Sequence, residues 1–274
     1  MPLVNTPLGA VEAIPFPRRI VKVGDSDSEI VKKIQHRLNA VGCGPIAEDG
    51  VFDKEGTARA VKLFQSRFPD VTGRPLEIDG EVGSLTWGAL FGVSTVPTNA
   101  TAPSPLAQAA IAFAFTQIGV MEEPIGSNRG PEVDAYLRAV ELDPERGSFP
   151  WCVAFTHFCY KKAAEQLGIQ NPHIRTAGVL DHWNQAGRKS KIVRVTHTKA
   201  VADPGLVKPG SLFIIDLGQG QGHSGMVIEV TEGGLVTIEG NTNDNGTREG
   251  IGVFKRHARK ISKINKGFID YSAF

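Results

Sequence analysis

Residues 92–108, GVSTVPTNATAPSPLAQ, constrain the fold more than any other stretch of this chain. They carry no charge and no hydrophobic period, and Pro97, Pro103 and Pro105 stiffen them. Such a composition makes an extended connector rather than a helix or a strand. A 274-residue chain broken here has to build two separate cores. With 41% hydrophobic and 22% charged residues, both halves have the apolar side chains to do so. The expected division is an arm over 1–19, a compact block over 20–91, a linker over 92–106 and a second domain over 107–274.

The block at 20–91 carries helical periodicity. In DSEIVKKIQHRLNAVG, Ile30, Ile34, Leu38 and Val41 share a face, Asp or Ser stands ahead as N-cap, and Gly42 ends the run. TARAVKLFQSRFP places Ala60, Val61, Phe64 and Phe68 on one face and stops at Pro69; SLTWGALFG is a shorter third helix. A small motif occurs twice: Glu48-Asp49-Gly50-Val51-Phe52 before the second helix and Ile78-Asp79-Gly80-Glu81-Val82-Gly83 before the third. Asp-Gly is turn chemistry, the aspartate capping backbone N–H groups and the glycine taking positive φ. Thr57 and Thr86 follow near the helix starts. The proline-rich residues 1–19 show no period and read as an extended arm.

These motifs, in this order, resemble the peptidoglycan-binding domain 1 family, a three-helix module. Ile34-Gln35, Asp49-Gly50-Val51-Phe52, the helix from Thr57 to Phe64-Gln65, and Asp79 through Leu90 carry the resemblance; Asp53 departs from it, standing where the family often has Gly. The resemblance implies a bacterial cell-wall ligand, which composition alone does not name.

After the linker, LAQAAIAFAFTQIGV, EVDAYLRAVEL and TAGVLDHWNQAG read as helices. From residue 190 the pattern changes. KIVRVTHT, SLFIID, SGMVIEV, LVTIEGN and IGVFKRH are short β-branched runs between glycine-rich turns, as strands are. Helices first and an antiparallel sheet second indicate an α+β domain.

Residues 147–168, GSFPWCVAFTHFCYKKAAEQLG, form a further helix, with Ser148 available as cap, Pro150 suited to the first turn and Gly168 at the end. Cys152 therefore sits at the positive end of the helix dipole, where a thiolate is favoured and backbone N–H groups face an incoming oxyanion. Cys159 lies two turns further in and reads as core, as does Cys43. Cys152 and Cys159 stand roughly 10 Å apart along one helix, beyond disulfide reach, and all three cysteines read as thiols.

A nucleophilic cysteine needs a base and a group to orient that base. Of the seven histidines, His36, His157, His173, His182, His197 and His257 lack supporting context; His157, five residues past Cys152, points away around the helix. His223 opens the strand GHSGMVIEV, and LVTIEGN is its natural hairpin partner across Glu232-Gly233-Gly234. Pairing Val230 with Gly234 sets His223 opposite Asn241 with Glu239 on the same face, whereas a one-residue slip would scatter the set. Glu239 or Asn241 would then hold the imidazole in its useful tautomer.

Pro150-Trp151-Cys152-Val153-Ala154-Phe155, Lys208-Pro209-Gly210-Ser211-Leu212-Phe213, Gly222-His223-Ser224-Gly225-Met226-Val227 and Glu239-Gly240-Asn241 together resemble a CHAP domain, a cysteine, histidine-dependent amidohydrolase/peptidase. Ser211 departs from the family's usual Asp. The resemblance implies a papain-like, NlpC/P60-like fold with Cys152, His223, Glu239 and Asn241 as catalytic positions. The loop Gly126-Ser127-Asn128-Arg129-Gly130 offers Asn128 to a substrate groove, or is a capping loop before the next helix; Trp151 flanks the groove or packs beneath the nucleophile.

The expected whole is a small all-α three-helix bundle followed by an α+β CHAP domain, acting as a monomeric peptidoglycan hydrolase with peptidoglycan as its partner. The alternatives are a wall-binding protein with a degenerate CHAP domain and a cysteine amidase on a non-wall amide. A net charge of +1 argues against nucleic acid, and no apolar run spans a membrane. No H-E-x-x-H and no zinc-spaced cysteine pair occurs, and Asn243-Asp244-Asn245-Gly246 has too few carboxylates for calcium, so no metal or cofactor is expected. The opening residues lack a signal-peptide pattern. That leaves phage lysis or type VI injection as the expected routes to the wall, the latter bringing an immunity protein as a partner.

Overall fold

The computed structural model describes residues 3–6, 8–232, 234–243 and 250–274. The chain forms two units, one of residues 1–97 with 201–204 and one of 98–200 with 205–274.

In the first unit the three expected helices form as α1 (Ser28–Ala40), α2 (Thr57–Arg67) and α3 (Ser84–Phe91). Asp27 starts α1 by accepting the Ile30 N–H at 3.2 Å. The chain leaves α2 at Phe68, which turns extended because the residue before a proline avoids the helical region. Val31, Ile34, Leu38, Val61, Phe64, Trp87 and Leu90 fill the core.

A glutamine from the preceding helix holds each Asp-Gly turn. Gln35 Nε2 lies 2.9 Å from Asp49 Oδ1, 3.1 Å from the Val51 carbonyl and 3.0 Å from Thr57 Oγ1, while its Oε1 accepts the Gly50 N–H at 2.9 Å. Gln65 repeats the arrangement with Asp79 (2.8 Å), Glu81 (3.0 Å), Thr86 (3.3 Å) and the Gly80 N–H (2.9 Å). Gly50 and Gly80 take φ of 80° and 81°, which glycine adopts without strain.

The expected arm is instead built into this unit. β1 (Leu3–Thr6) and β2 (Gly9–Glu12) pair as an antiparallel hairpin, and Ile14 and Phe16 enter the core behind it. The Ile14 carbonyl accepts the Trp87 indole N–H at 3.0 Å. Two buried residues on an alternating stretch are too few to show a period in the sequence.

The second unit carries α4 (Pro105–Thr116), α5 (Pro131–Ala139), α6 (Cys152–Leu167) and α7 (Val179–Ala186). Its sheet comprises β3 (Val193–Thr196), β4 (Leu212–Gly218), β5 (Gln221–Val230), β6 (Gly234–Thr242), β7 (Gly252–Lys260) and β8 (Gly267–Asp270). The order is β3-β8-β4-β5-β6-β7, antiparallel throughout. α6 lies on β5 and β6, with α4 and α5 against it, and α7 covers β4 and β5. Trp151, Tyr136, Phe155, Leu212, Ile214, Met226 and Ile238 share one core.

Three features differ from the sequence expectation. α8 (His197–Ala202) begins where the strand KIVRVTHT was expected to continue. β8 has four buried residues in a row, so no alternation announced it. Part of the expected linker belongs to this unit: Asn99 exchanges backbone hydrogen bonds with Val230 at 2.9 and 2.7 Å, and Ser104 caps α4 through the Ala107 N–H at 3.3 Å. Among the described residues no helix is long and apolar enough to cross a membrane.

Candidate active site

The β5–β6 hairpin sets the register on which the site depends. At its turn end Val230 pairs with Leu235, not with Gly234 as expected; Gly233 of the expected turn lies outside the described residues. A bulge between Val227 and Glu229 takes up the one-residue difference. Beyond it Met226 pairs with Ile238, which is the register the hairpin reading assumed. Glu239 consequently packs beside Gly225, where a Cβ would stand 2.7 Å from Glu239 Cγ. A side chain at Gly225 would displace the carboxylate.

His223 and Glu239 share one face and meet there. His223 Nε2 lies 2.8 Å from Glu239 Oε2. Cys152 is the second polar group acting on the ring, whose Nε2 is taken by Glu239. Burial pulls the imidazole pKa down, but the bonds and charges of Cys152 and Glu239 outweigh it and raise the pKa to about 9.

Cys152 is the first residue of α6 and is 3% exposed. Ser148 does not cap this helix. Trp151 occupies the cap position and makes no side-chain cap bond, and among the described residues no side chain is bonded to the first-turn N–H groups. Ser148 is instead turned toward Asn128, whose Nδ2 donates to its hydroxyl at 2.9 Å. The uncapped turn leaves N–H donors beside the sulfur, as an oxyanion requires.

Glu239 is fully buried and, among the described residues, makes four hydrogen bonds. Arg259 grips it with both arms, Nε to Oε1 at 2.5 Å and Nη2 to Oε2 at 2.6 Å. Thr237 Oγ1 donates to Oε1 at 2.6 Å, and His223 completes the set. Burial would raise this carboxyl's pKa; the Arg259 and His223 donors prevail and hold it at about 2. The Arg259 guanidinium also covers the Phe213 ring at 4.7 Å, and Phe213 in turn stands 5.6 Å from the His223 ring.

Asn241 lies two residues further along β6. It takes φ 51° where the pairing with β7 shifts register, and among the described residues it gives His223 no hydrogen bond. Trp151 is fully buried against Tyr136 and Phe155, so it packs into the core behind Cys152 instead of lining a groove. Asn128 is half-buried at φ 56° in the loop before α5. His157 is turned into the interior, its Nδ1 3.3 Å from His173 Nδ1, and burial pushes its pKa down to about 4. Cys159 is fully buried, and burial pushes its thiol up.

Arg259, Thr237 and Glu122 escaped the sequence reading. Thr237 had a signal, since it shares a strand face with Glu239 two residues away. Arg259 had none, because its strand's register passes through residues 243–251. Asp244, Asn245 and Gly246 of the weighed calcium loop lie outside the described residues. Among the described residues no group of three or more His, Cys, Asp or Glu side chains converges as a metal site would.

Residues 27–90 match the peptidoglycan binding domain family, and residues 144–241 match the CHAP domain. This chain joins a peptidoglycan-binding domain to a CHAP domain. Comparison with curated proteins and with solved structures finds no match. The CHAP match spans Cys152, His223, Glu239 and Asn241; Glu122 precedes it and Arg259 follows it. A wall-binding module on a CHAP domain supports a peptidoglycan hydrolase in general terms.

Proposed function

We propose that this protein cleaves an amide bond of peptidoglycan by a cysteine mechanism, with Cys152 as nucleophile and His223 as its acid and base. The observation that carries this reading is the buried Glu239 carboxylate, which Arg259 grips and which accepts from the His223 imidazole at 2.8 Å, with Cys152 at the start of α6 acting on the same ring.

The reactive state is the thiolate–imidazolium pair. Cys152 sulfur attacks the amide carbonyl, and the first-turn N–H groups of α6 receive the oxyanion. His223 passes its proton to the leaving nitrogen as the C–N bond breaks, leaving a thioester on Cys152. The now neutral imidazole takes a proton from water, hydroxide adds to the thioester, and the acid departs as the sulfur regains its thiolate. Glu239 keeps the ring's Nε2–H directed at itself so that Nδ1 stays on the sulfur. The binding domain raises the local concentration of wall strands at the CHAP domain through the tether.

The test is mass spectrometry of fragments released from purified peptidoglycan by wild type and by Cys152→Ala. Wild type is expected to release fragments and the variant none, with wall binding intact in both. Glycans stripped of whole stem peptides identify an N-acetylmuramoyl-L-alanine amidase. Shortened or un-cross-linked muropeptides identify an endopeptidase. Release that persists in Cys152→Ala sinks the mechanism, and no release from wild type sinks the activity.

A further inference from the structure

Glu122 is 1% exposed, lies outside the matched CHAP residues, and among the described residues its carboxylate accepts from two neutral donors. It sits on a segment that runs beside the start of β7. Gly119 N–H donates to the Val253 carbonyl (3.0 Å), Val253 N–H to Val120 (2.9 Å) and Glu122 N–H to Ile251 (2.8 Å). Its backbone is thereby fixed to the sheet.

Its side chain then reaches the nucleophile helix. Oε1 accepts the Trp151 indole N–H at 2.8 Å, and Oε2 accepts the Asn128 backbone N–H at 3.1 Å. Asn128 Nδ2 in turn bonds Ser148, four residues before Cys152. The indole has no room to retreat. A Cβ on Gly240 of β6 would stand 2.7 Å from Trp151 Cζ3 and 2.7 Å from Phe155 Cγ. Trp151, the residue at the N-cap position just before Cys152, is thus clamped between β6 and one carboxylate.

Packing alone does not call for a carboxylate. A leucine or methionine would fill the volume without the desolvation cost of a buried acid. What a carboxylate adds is direction: its two oxygens take one donor each and fix both at set angles. We propose that Glu122 is a positioning residue for the reaction, acting through Trp151 to hold the first turn of α6 where its N–H groups and the Cys152 sulfur meet the scissile carbonyl. This rests on the cysteine mechanism proposed above. Arg129 ties the neighbouring loop independently, to Asp134 at 2.9 Å and Glu145 at 2.5 Å, so that loop stays anchored when Glu122 changes.

The test uses the full chain as wild type, Glu122→Gln, Trp151→Phe and the double variant, with soluble muropeptides as substrate. Active molecules are counted by iodoacetamide labelling of Cys152, located by mass spectrometry. Glu122→Gln offers one acceptor where two are needed. It is expected to lower kcat per labelled site by about 10- to 100-fold, since small misplacements of reacting groups carry losses of that order. KM should stay within about threefold. Trp151→Phe, which keeps the ring stack and deletes the N–H, should lose a comparable factor. The double variant should be no worse than the poorer single one, because both break the same bond. Wild-type kcat in Glu122→Gln, or losses that multiply in the double variant, overturns the proposal. If wild type cleaves nothing, the cleavage reading fails, and the Cys152 labelling rates decide this one. Equal, non-multiplying decreases in the two single variants uphold the clamp, and unchanged or multiplying rates overturn it.

Discussion

Both units pin a turn or a strand with one buried polar side chain, and they choose opposite chemistry. In the peptidoglycan-binding domain the pins are Gln35 and Gln65, which are 1% and 3% exposed. Each satisfies an Asp-Gly turn and the threonine opening the next helix, and neither titrates. In the CHAP domain the pin is Glu239, whose carboxylate is sustained by Arg259 and His223. A neutral amide holds shape at any pH. A buried carboxylate holds shape only while its cations are present, and one of those cations is the proposed catalytic base. Fold stability and proton chemistry are therefore coupled in one unit and separate in the other.

Removing Arg259 breaks this comparison most severely. Arg259→Ala leaves the buried carboxylate with His223, Thr237 and the more distant Arg256, whose Nε stands 3.8 Å from Oε2, and truncating one side of a buried ion pair costs about 3–5 kcal/mol. Urea unfolding followed by tryptophan fluorescence measures it. A Trp87→Phe background leaves Trp151 and Trp183 as reporters of the CHAP unit only. A loss below about 1 kcal/mol, the level of an exposed pair, would mean the arginine is dispensable to Glu239.

The next effect is a pH window belonging to His223. Its pKa is ordinarily 6.5 and rises to about 9 in the fold, so its stabilisation is complete below 6.5 and lost as pH climbs to 9. The loss amounts to about 3 kcal/mol at most. Cleavage should fall along the same limb, near pH 9, as the imidazolium loses its proton. Glu239→Gln removes one raising influence and should move the limb toward 6.5. A limb that stays near 9 in that variant would show that Glu239 does not set the base. On the acid side the signs agree with one another. Glu239 (about 2 in the fold) protonates only on unfolding, as do His157 (about 4) and His182 (about 3), so stability falls as pH drops below 6.5.

The sequence exposed one end of this coupling and hid the other. Cys152 was legible because a helix start announces itself through Pro150 and the apolar run behind it. His223 was legible because Gly-flanked strand openings are rare places for a histidine. The pair His223–Glu239 required a register, and the correct one was assumed at the site although the bulge near Ile228 spoiled it at the turn. Arg259 was beyond reach, since nothing local says which strand its own strand will join. The same holds in the binding domain. The Asp-Gly repeats were visible as strings, whereas the glutamines that clasp them stand 14 residues upstream on another element. Local chemistry is written locally, and long-range satisfaction of buried polar groups is not.

The smallest effect is expected in the neutral pins, and it sharpens the contrast. Gln35→Ala deprives the buried Gly50 N–H of its acceptor and Asp49 of a donor, a loss of about 1–3 kcal/mol. Amide hydrogen exchange reads it locally: Gly50 should lose protection while Gly80, held by Gln65, keeps its own. The loss should be constant between pH 6.5 and 9, the window in which the CHAP unit weakens. Gln35→Glu goes further. It retains an acceptor for Gly50 but sets a carboxylate against Asp49 Oδ1, 2.9 Å from the present amide nitrogen. The introduced acid would be protonated more readily in the fold than in the unfolded chain, so its tolerance should hold at low pH and vanish as pH rises past the ordinary carboxylate range. Protection of Gly50 that tracks pH in Gln35→Glu and not in Gln35→Ala would show that charge, not burial, makes a polar pin sensitive to protons. Equal pH profiles in the two variants would remove the distinction between the units.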